Sequence, residues 1–214
     1  MKQLAALYRK CRKSESSFLI VVFRFLVHKL LHGKALLLHQ RVSIRGLRNI
    51  SHGGRLEVGI SYVGFSHRSD TTLLRIKGKL QIADTYSIGR GCRIDVGEKA
   101  VVSIGKGGYI NNNTKMIIMH GLSIGDQCAI SWDCQFLDED FHSTVIQEKR
   151  TSGKKITIGN HVWIGCGAKI YKGTVIPDGC VVASDSVVKG VFTVKNAIIA
   201  GNPAKVVKEG ISWE

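Results

Sequence analysis

The chain holds two prolines, 7% aromatic residues, 16 acidic residues against 31 basic ones, and six cysteines with no Cys-x-x-Cys pair. Each scarcity excludes something. Cysteines at positions 11, 92, 128, 134, 166 and 180 follow no zinc-ligand spacing, so neither a resident metal nor a disulfide framework is expected. The net charge of +15 suggests nucleic acid. The aromatics are too few for base-stacking platforms, however, and no helix-turn-helix, zinc-finger or RNA-recognition signature occurs, so that partner is not expected. No apolar run approaches the roughly 18 residues of a spanning helix. The amino terminus shows no signal-peptide cleavage pattern, and a cytoplasmic location is expected. What is present is 214 residues with 44% hydrophobic content, enough for one cored domain and a small appendage.

Over half of the net charge sits at the amino-terminal end. Residues 1–41 carry nine basic side chains and one acid, Glu15. The run from Phe18 to Leu31 has helical spacing, with Arg24, His28 and His32 on one stripe. Leu19, Val22, Phe23, Leu26, Val27 and Leu30 fall opposite. Two readings follow for this basic amphipathic segment. It lies on a membrane surface, at the cytoplasmic face of the inner membrane, or its apolar side packs on the protein or a neighbouring subunit.

From about residue 42 a different period takes over. Large aliphatic residues recur every six positions: Ile76, Ile82, Ile88 and Ile94, then Ile104 and Ile110, then Ile118, Ile124 and Ile130. The last block, Ile158, Ile164, Ile170, Ile176, Val182 and Val188, is unbroken, and Gly often follows the aliphatic, placed to permit a turn. Six fits neither an amphipathic helix nor a hairpin sheet. It fits an all-β solenoid whose parallel coils send one aliphatic inward per unit. Cys92, Cys128, Cys134 and Cys180 stand four residues after an aliphatic, with Ala168 in the equivalent place, and are expected to be compact core residues.

These units, the run Gly159-Asn-His-Val-Trp-Ile-Gly165 and the ending Gly201-Asn-Pro-Ala-Lys205 resemble the hexapeptide-repeat acyltransferases across residues 42–208. Within that family the likeness is to O-acetyltransferases of bacterial surface polysaccharides. The resemblance implies a left-handed parallel β-helix of triangular coils, assembled as a homotrimer with active sites between subunits. It also implies acetyl-CoA as co-substrate, a carbohydrate acceptor from capsule or lipopolysaccharide, and direct transfer without an acyl-enzyme. Residues 209–214 are left as a tail.

The repeat breaks between Phe136 and Ile158, which lie 22 residues apart rather than a multiple of six. A polar loop at 138–155 must leave the coil there, and loops on rigid scaffolds often carry function. His142 lies on it. A sugar hydroxyl is a poor nucleophile that needs a base titrating near neutrality, and the family's catalytic histidine matches His142. Asp138, Glu139 or Asp140 could orient its imidazole, with Asp140 preferred. By the same resemblance Trp163 is a substrate-side wall or indole N–H donor, and Asn111 an acceptor-side residue. Cys166, Ser184, Lys189, Lys205 and Lys208 fall on positions that contact CoA. No phosphate-cradling glycine loop occurs. The remaining alternatives are an N-acetyltransferase of a nucleotide-linked amino sugar, a zinc lyase and a non-catalytic scaffold. The spacing of His120, His142 and His161 does not suit the lyase.

Overall fold

The computed structural model describes residues 2–61, 66–142 and 154–214. A strand with one or two inward aliphatics cannot bury itself in a hairpin, and here each strand stacks on the one a full coil later. Among the described residues this produces three sheets of nine, seven and six strands, the first, second and third faces of a triangular prism. Every pairing between coils is parallel. The strands Ile198–Gly201 and Ala204–Lys208 close the first face as an antiparallel pair.

Register places the aliphatics in columns. Ile88, Ile110, Ile130, Ile164, Val182 and Ile199 align on the first face. Ile94, Met116, Phe136, Ile170 and Val188 align on the second, and Ile82, Ile104, Ile124, Ile158 and Ile176 on the third. None of these is more than 3% exposed. Fully burying each such side chain stabilises the fold by about 1.5–3 kcal/mol before conformational entropy is counted. The strict 18-residue coil holds only late in the chain, as in Ile164 opposite Val182. Earlier coils are longer because their strands run to four residues and carry two inward side chains, such as Val102 with Ile104 and Leu122 with Ile124. The coil begins at Leu36–Leu38, which pairs with Leu56–Val58, six residues before the boundary expected at 42.

Cys92, Cys128, Cys134 and Cys180 are buried core residues, as their spacing indicated. Burial pushes the Cys92 and Cys134 thiols up to about 12 and Cys128 to about 11, so they stay protonated and unreactive.

The glycines that follow the aliphatics have a different reason from the one expected. Gly105, Gly125 and Gly159 have no positive φ. They lie under a ladder of side chains in which Asp126 Oδ1, Asn160 Oδ1 and Asp178 Oδ1 accept backbone N–H bonds from Lys106, Asp126 and Asn160 at 3.0, 2.8 and 2.8 Å. A Cβ on any of these glycines would sit 2.3–2.5 Å from a ladder oxygen. The left-handed turn residues are neighbours such as Gly107, Gln127, His161 and Gly179.

At the amino-terminal end lie two helices, α1 (Lys2–Lys13) and α2 (Phe18–His32). Cys11, Val21, Leu37 and Ile60 form a small second core between them and the first coil. Of the basic stripe, Arg24 turns toward the protein while His32 is exposed: Arg24 donates to the carbonyls of His39 and Val42 at 2.8 and 2.9 Å. Burial of that guanidinium is offset by three backbone acceptors, Gln40 O being the third, at 3.4 Å.

His39 lies fully buried beneath these helices. Its pKa is lowered to about 4, by burial first and then by the charges of Arg90, Arg41 and Arg24, against a smaller opposing effect of the Glu15 backbone. The unfolded chain therefore takes up this proton near pH 6.5 while the folded chain refuses it until about pH 4. Stability is fully present above pH 6.5 and is expected to fall by about 3 kcal/mol toward pH 4. Unfolding midpoints measured across that window should drop in the wild type and flatten in His39→Gln. A wild-type profile that is level there would show that His39 is not held neutral.

Candidate active site

The excursion expected at 138–155 leaves the prism between the second and third faces, after the strand Gln135–Leu137 and before Ile156–Ile158. Residues 143–153 of it lie outside the described residues. Its neck is built from the carboxylates nearest the coil. Asp138, 0% exposed, accepts the backbone N–H groups of Met119, His120 and Gly121 at 2.6, 2.7 and 2.8 Å. Three such donors satisfy a buried carboxylate without a cation. Glu139 then binds Lys154 on the returning chain and His120, both at 2.7 Å. The Lys154 bond and then the His120 bond hold its carboxyl down at about 2. Asp140 forms an ion pair with Lys172 on the next coil. Phe141 adopts a left-handed φ of 61°, and the following residue, His142, is exposed. Asp138 and Glu139 are thus committed to holding the neck, and Asp140, expected to orient His142, meets Lys172 at its Oδ2.

The other candidate residues gather at the corner between the first and second faces. Trp163 projects outward from its strand, 42% exposed, with its indole N–H donating to Ser131 Oγ at 3.0 Å. The ring face, rather than the N–H, is what it offers outward. Asn111, Ser131 and Gly165 occupy the same place on successive coils, each donating its N–H to the coil that follows. Cys166 and Ser184 also stack, joined by the bond from Asp185 N to Cys166 O at 2.8 Å. Lys205 pairs with Ala200 and Lys208 with Ile198 in the closing hairpin. Lys189 stands apart, after Val188 at the corner shared by the second and third faces. One chain therefore brings Asn111, Trp163, Cys166 and Ser184 to one corner and roots the His142 loop at another.

Two further side chains, for which the sequence suggested no role at the site, join this corner. Trp213, in the tail, stacks on His161 at 4.1 Å with planes 6° apart, and its ring lies 6.1 Å from that of Trp163. Trp213 Nε1 donates to His161 O at 3.0 Å, and His161 Nε2 lies 3.0 Å from Trp213 O. A carbonyl only accepts, so this bond places a proton on Nε2. The tail is thereby fastened beside Trp163. Among the described residues no cluster of three metal-ligating side chains occurs.

Parallel coils stacked into three sheets, with an excursion from one corner, define a parallel β-solenoid. The pattern described as bacterial transferase hexapeptide (six repeats) matches residues 155–190. Over its whole length the chain is 38% identical to a 24.8 kDa protein of the cps region of Klebsiella pneumoniae, covering 97% of that protein. It is 37% identical to the polysialic acid O-acetyltransferase of Neisseria meningitidis over 71% of this chain and 74% of that one. The chain belongs to the hexapeptide-repeat transferase family. Its fold is the left-handed parallel β-helix, shared with the polysialic acid O-acetyltransferase OatWY at a TM-score of 0.58 and 24% identity, covering 81% of this chain and 88% of that one. The Bacillus cereus N-acyltransferase AntD has the same fold, at a TM-score of 0.55 and 19% identity over 86% and 87% of the two chains.

Proposed function

We propose that the protein is an acetyl-CoA-dependent O-acetyltransferase that modifies a hydroxyl of a bacterial surface polysaccharide or its precursor. The observation that carries this reading is the exposed His142 on a braced excursion from a hexapeptide coil, in a chain 37% identical to a polysialic acid O-acetyltransferase. His142 takes the proton of the acceptor hydroxyl as that oxygen bonds to the thioester carbonyl carbon. The tetrahedral intermediate then collapses, the C–S bond breaks, and the imidazolium returns its proton to the leaving thiolate. No acyl-enzyme is formed. The buried, protonated Cys92, Cys128 and Cys134 are core residues and take no part in this scheme.

Two chains are needed to complete this site, since His142 and Trp163 belong to different corners of one prism. A homotrimer, with each loop laid against a neighbour, brings the two corners together. Lys205 and Lys208 on the closing hairpin and Lys189 at the loop corner are exposed cations suited to CoA phosphates, while Cys166 and Ser184 line the stacked coils between them. Asn111 and the face of Trp163 then border the acceptor, and Asp140 steadies the loop through Lys172. No metal takes part in this scheme.

CoA release from acetyl-CoA, followed with a thiol reagent, tests it against capsular polysaccharides and nucleotide amino sugars. The expected result is turnover with a polysaccharide whose new acetyl groups are lost in mild base, as esters are. Turnover confined to an amino sugar, giving a base-stable amide, would overturn it in favour of N-acetyl transfer.

A further inference from the structure

Among the described residues, eight of the sixteen exposed large hydrophobic side chains lie on α1 and α2. On α2 they form one stripe: Leu19, Phe23, Leu26 and Leu30 recur at helical spacing and are 77, 68, 50 and 81% exposed, with Leu31 beside them at 72%. The stripe is not a loosely held face. The opposite side of the same helix is fixed by buried Val21 and by the Arg24 bonds to the first coil, so α2 is presented outward in one orientation. The exposed charged side chains on the two helices, Lys2, Arg9, Arg12, Lys13 and Lys29, are all basic, and Glu15, between the helices, is the only acid of residues 1–41.

We propose that the outer face of α2 seats the protein on a lipid bilayer carrying acidic phospholipids, with the helix lying in the plane of the interface. An apolar stripe rimmed by basic residues matches the acyl boundary and the anionic headgroups together. Each basic residue near such a surface strengthens binding roughly fivefold. Charge also disfavours the other occupant, a second copy of this chain, because that contact would bring two basic segments face to face. No described helix is long and apolar enough to cross a membrane, so the helix lies on the bilayer rather than through it. The lipid-facing side is thus the apolar stripe, while Arg24 serves the protein interior. This inference stands apart from the reaction proposed above.

Co-sedimentation of the full chain with vesicles tests it, using phosphatidylglycerol mixed with phosphatidylcholine and, separately, phosphatidylcholine alone. The wild type should bind the anionic vesicles and release from them as salt is raised. A variant combining Leu19→Ser, Phe23→Ser and Leu30→Ser should bind at least about tenfold more weakly. These side chains are largely in solvent, so its circular dichroism should match the wild type. Equal binding by the two proteins, or no binding by either, would overturn the proposal. A smaller particle mass for the variant without lipid would also overturn it, making this face a contact between copies.

Discussion

Replacing His142 with alanine is expected to lower kcat about a thousandfold, with the secondary structure and particle mass unchanged. The side chain is exposed and lies beyond the neck contacts of Asp138, Glu139 and Asp140, so its removal leaves the braced loop in place. The chemical loss follows from the acceptor. A hydroxyl that keeps its proton while attacking a thioester develops a cationic oxygen, and a positioned base removes that penalty for a gain of roughly 10²–10⁴. A thousandfold loss corresponds to about 4 kcal/mol of transition-state stabilisation. His142→Gln should be as impaired, since an amide fills the space and forms hydrogen bonds without accepting the proton at neutral pH. Single-turnover rates would separate chemistry from product release. A loss confined to KM would reassign His142 to binding, and an unchanged kcat would remove it from the mechanism.

Gly125→Ala is expected to be strongly destabilising, although it adds a single methyl group. The new Cβ would lie 2.5 Å from Asn160 Oδ1 and 2.6 Å from both the carbonyl carbon and oxygen of Gly159. Those backbone atoms are pinned by register, because Ile124 pairs with Ile158 and Gly125 N donates to Ile158 O at 3.0 Å. Relief must come from separating two coils, which also weakens the 2.8 Å bond from Asp126 N to Asn160. The cost is on the order of 3 kcal/mol. Gly33→Ala makes the contrast: its φ is +66° but nothing lies within 4 Å of the added carbon. Backbone strain alone applies there, about 1 kcal/mol. Thermal unfolding of the two variants side by side checks the argument, and equal losses would show that close approach is not what selects glycine in the ladder.

The repeat was open to reading because inward aliphatics must align from coil to coil, and one-dimensional spacing records that directly. Ile158 through Val188 announced the prism, and the 22 residues from Phe136 to Ile158 announced the excursion. The function of the intervening glycines was hidden. Whether Gly125 turns the chain or makes room depends on Asn160 in the next coil, and no local pattern carries that relation. Helix α2 shows the same limit. Its amphipathic period was plain, but its direction goes with the carbonyls of His39 and Val42, which accept from Arg24. In the site, the histidine stood out because it interrupted a period. The roles of Asp138, Glu139 and Asp140 did not, because three adjacent carboxylates look alike until Met119, His120 and Gly121 are brought against the first of them. The contact of Trp213 with His161 was not readable for a related reason: 52 residues separate them, and only the closing hairpin returns the tail to that coil.

Stacked parallel coils carry an inherent hazard, since each end of the column is an unfinished sheet on which another column could continue to grow. Here both ends of the first face are obstructed. Leu36–Leu38 lies against α2, and the cations of Arg24 and Lys34 occupy carbonyls of the first coil at His39, Val42 and Ile50. At the far end the chain doubles back, and the exposed edge is a reversed strand bearing Lys205 and Lys208. A reversed, cationic edge is a poor template for a parallel neighbour. Growth into filaments is thereby discouraged, which leaves the sides of the prism, with the corners that carry the loop neck and Trp163, as the surfaces open to contact.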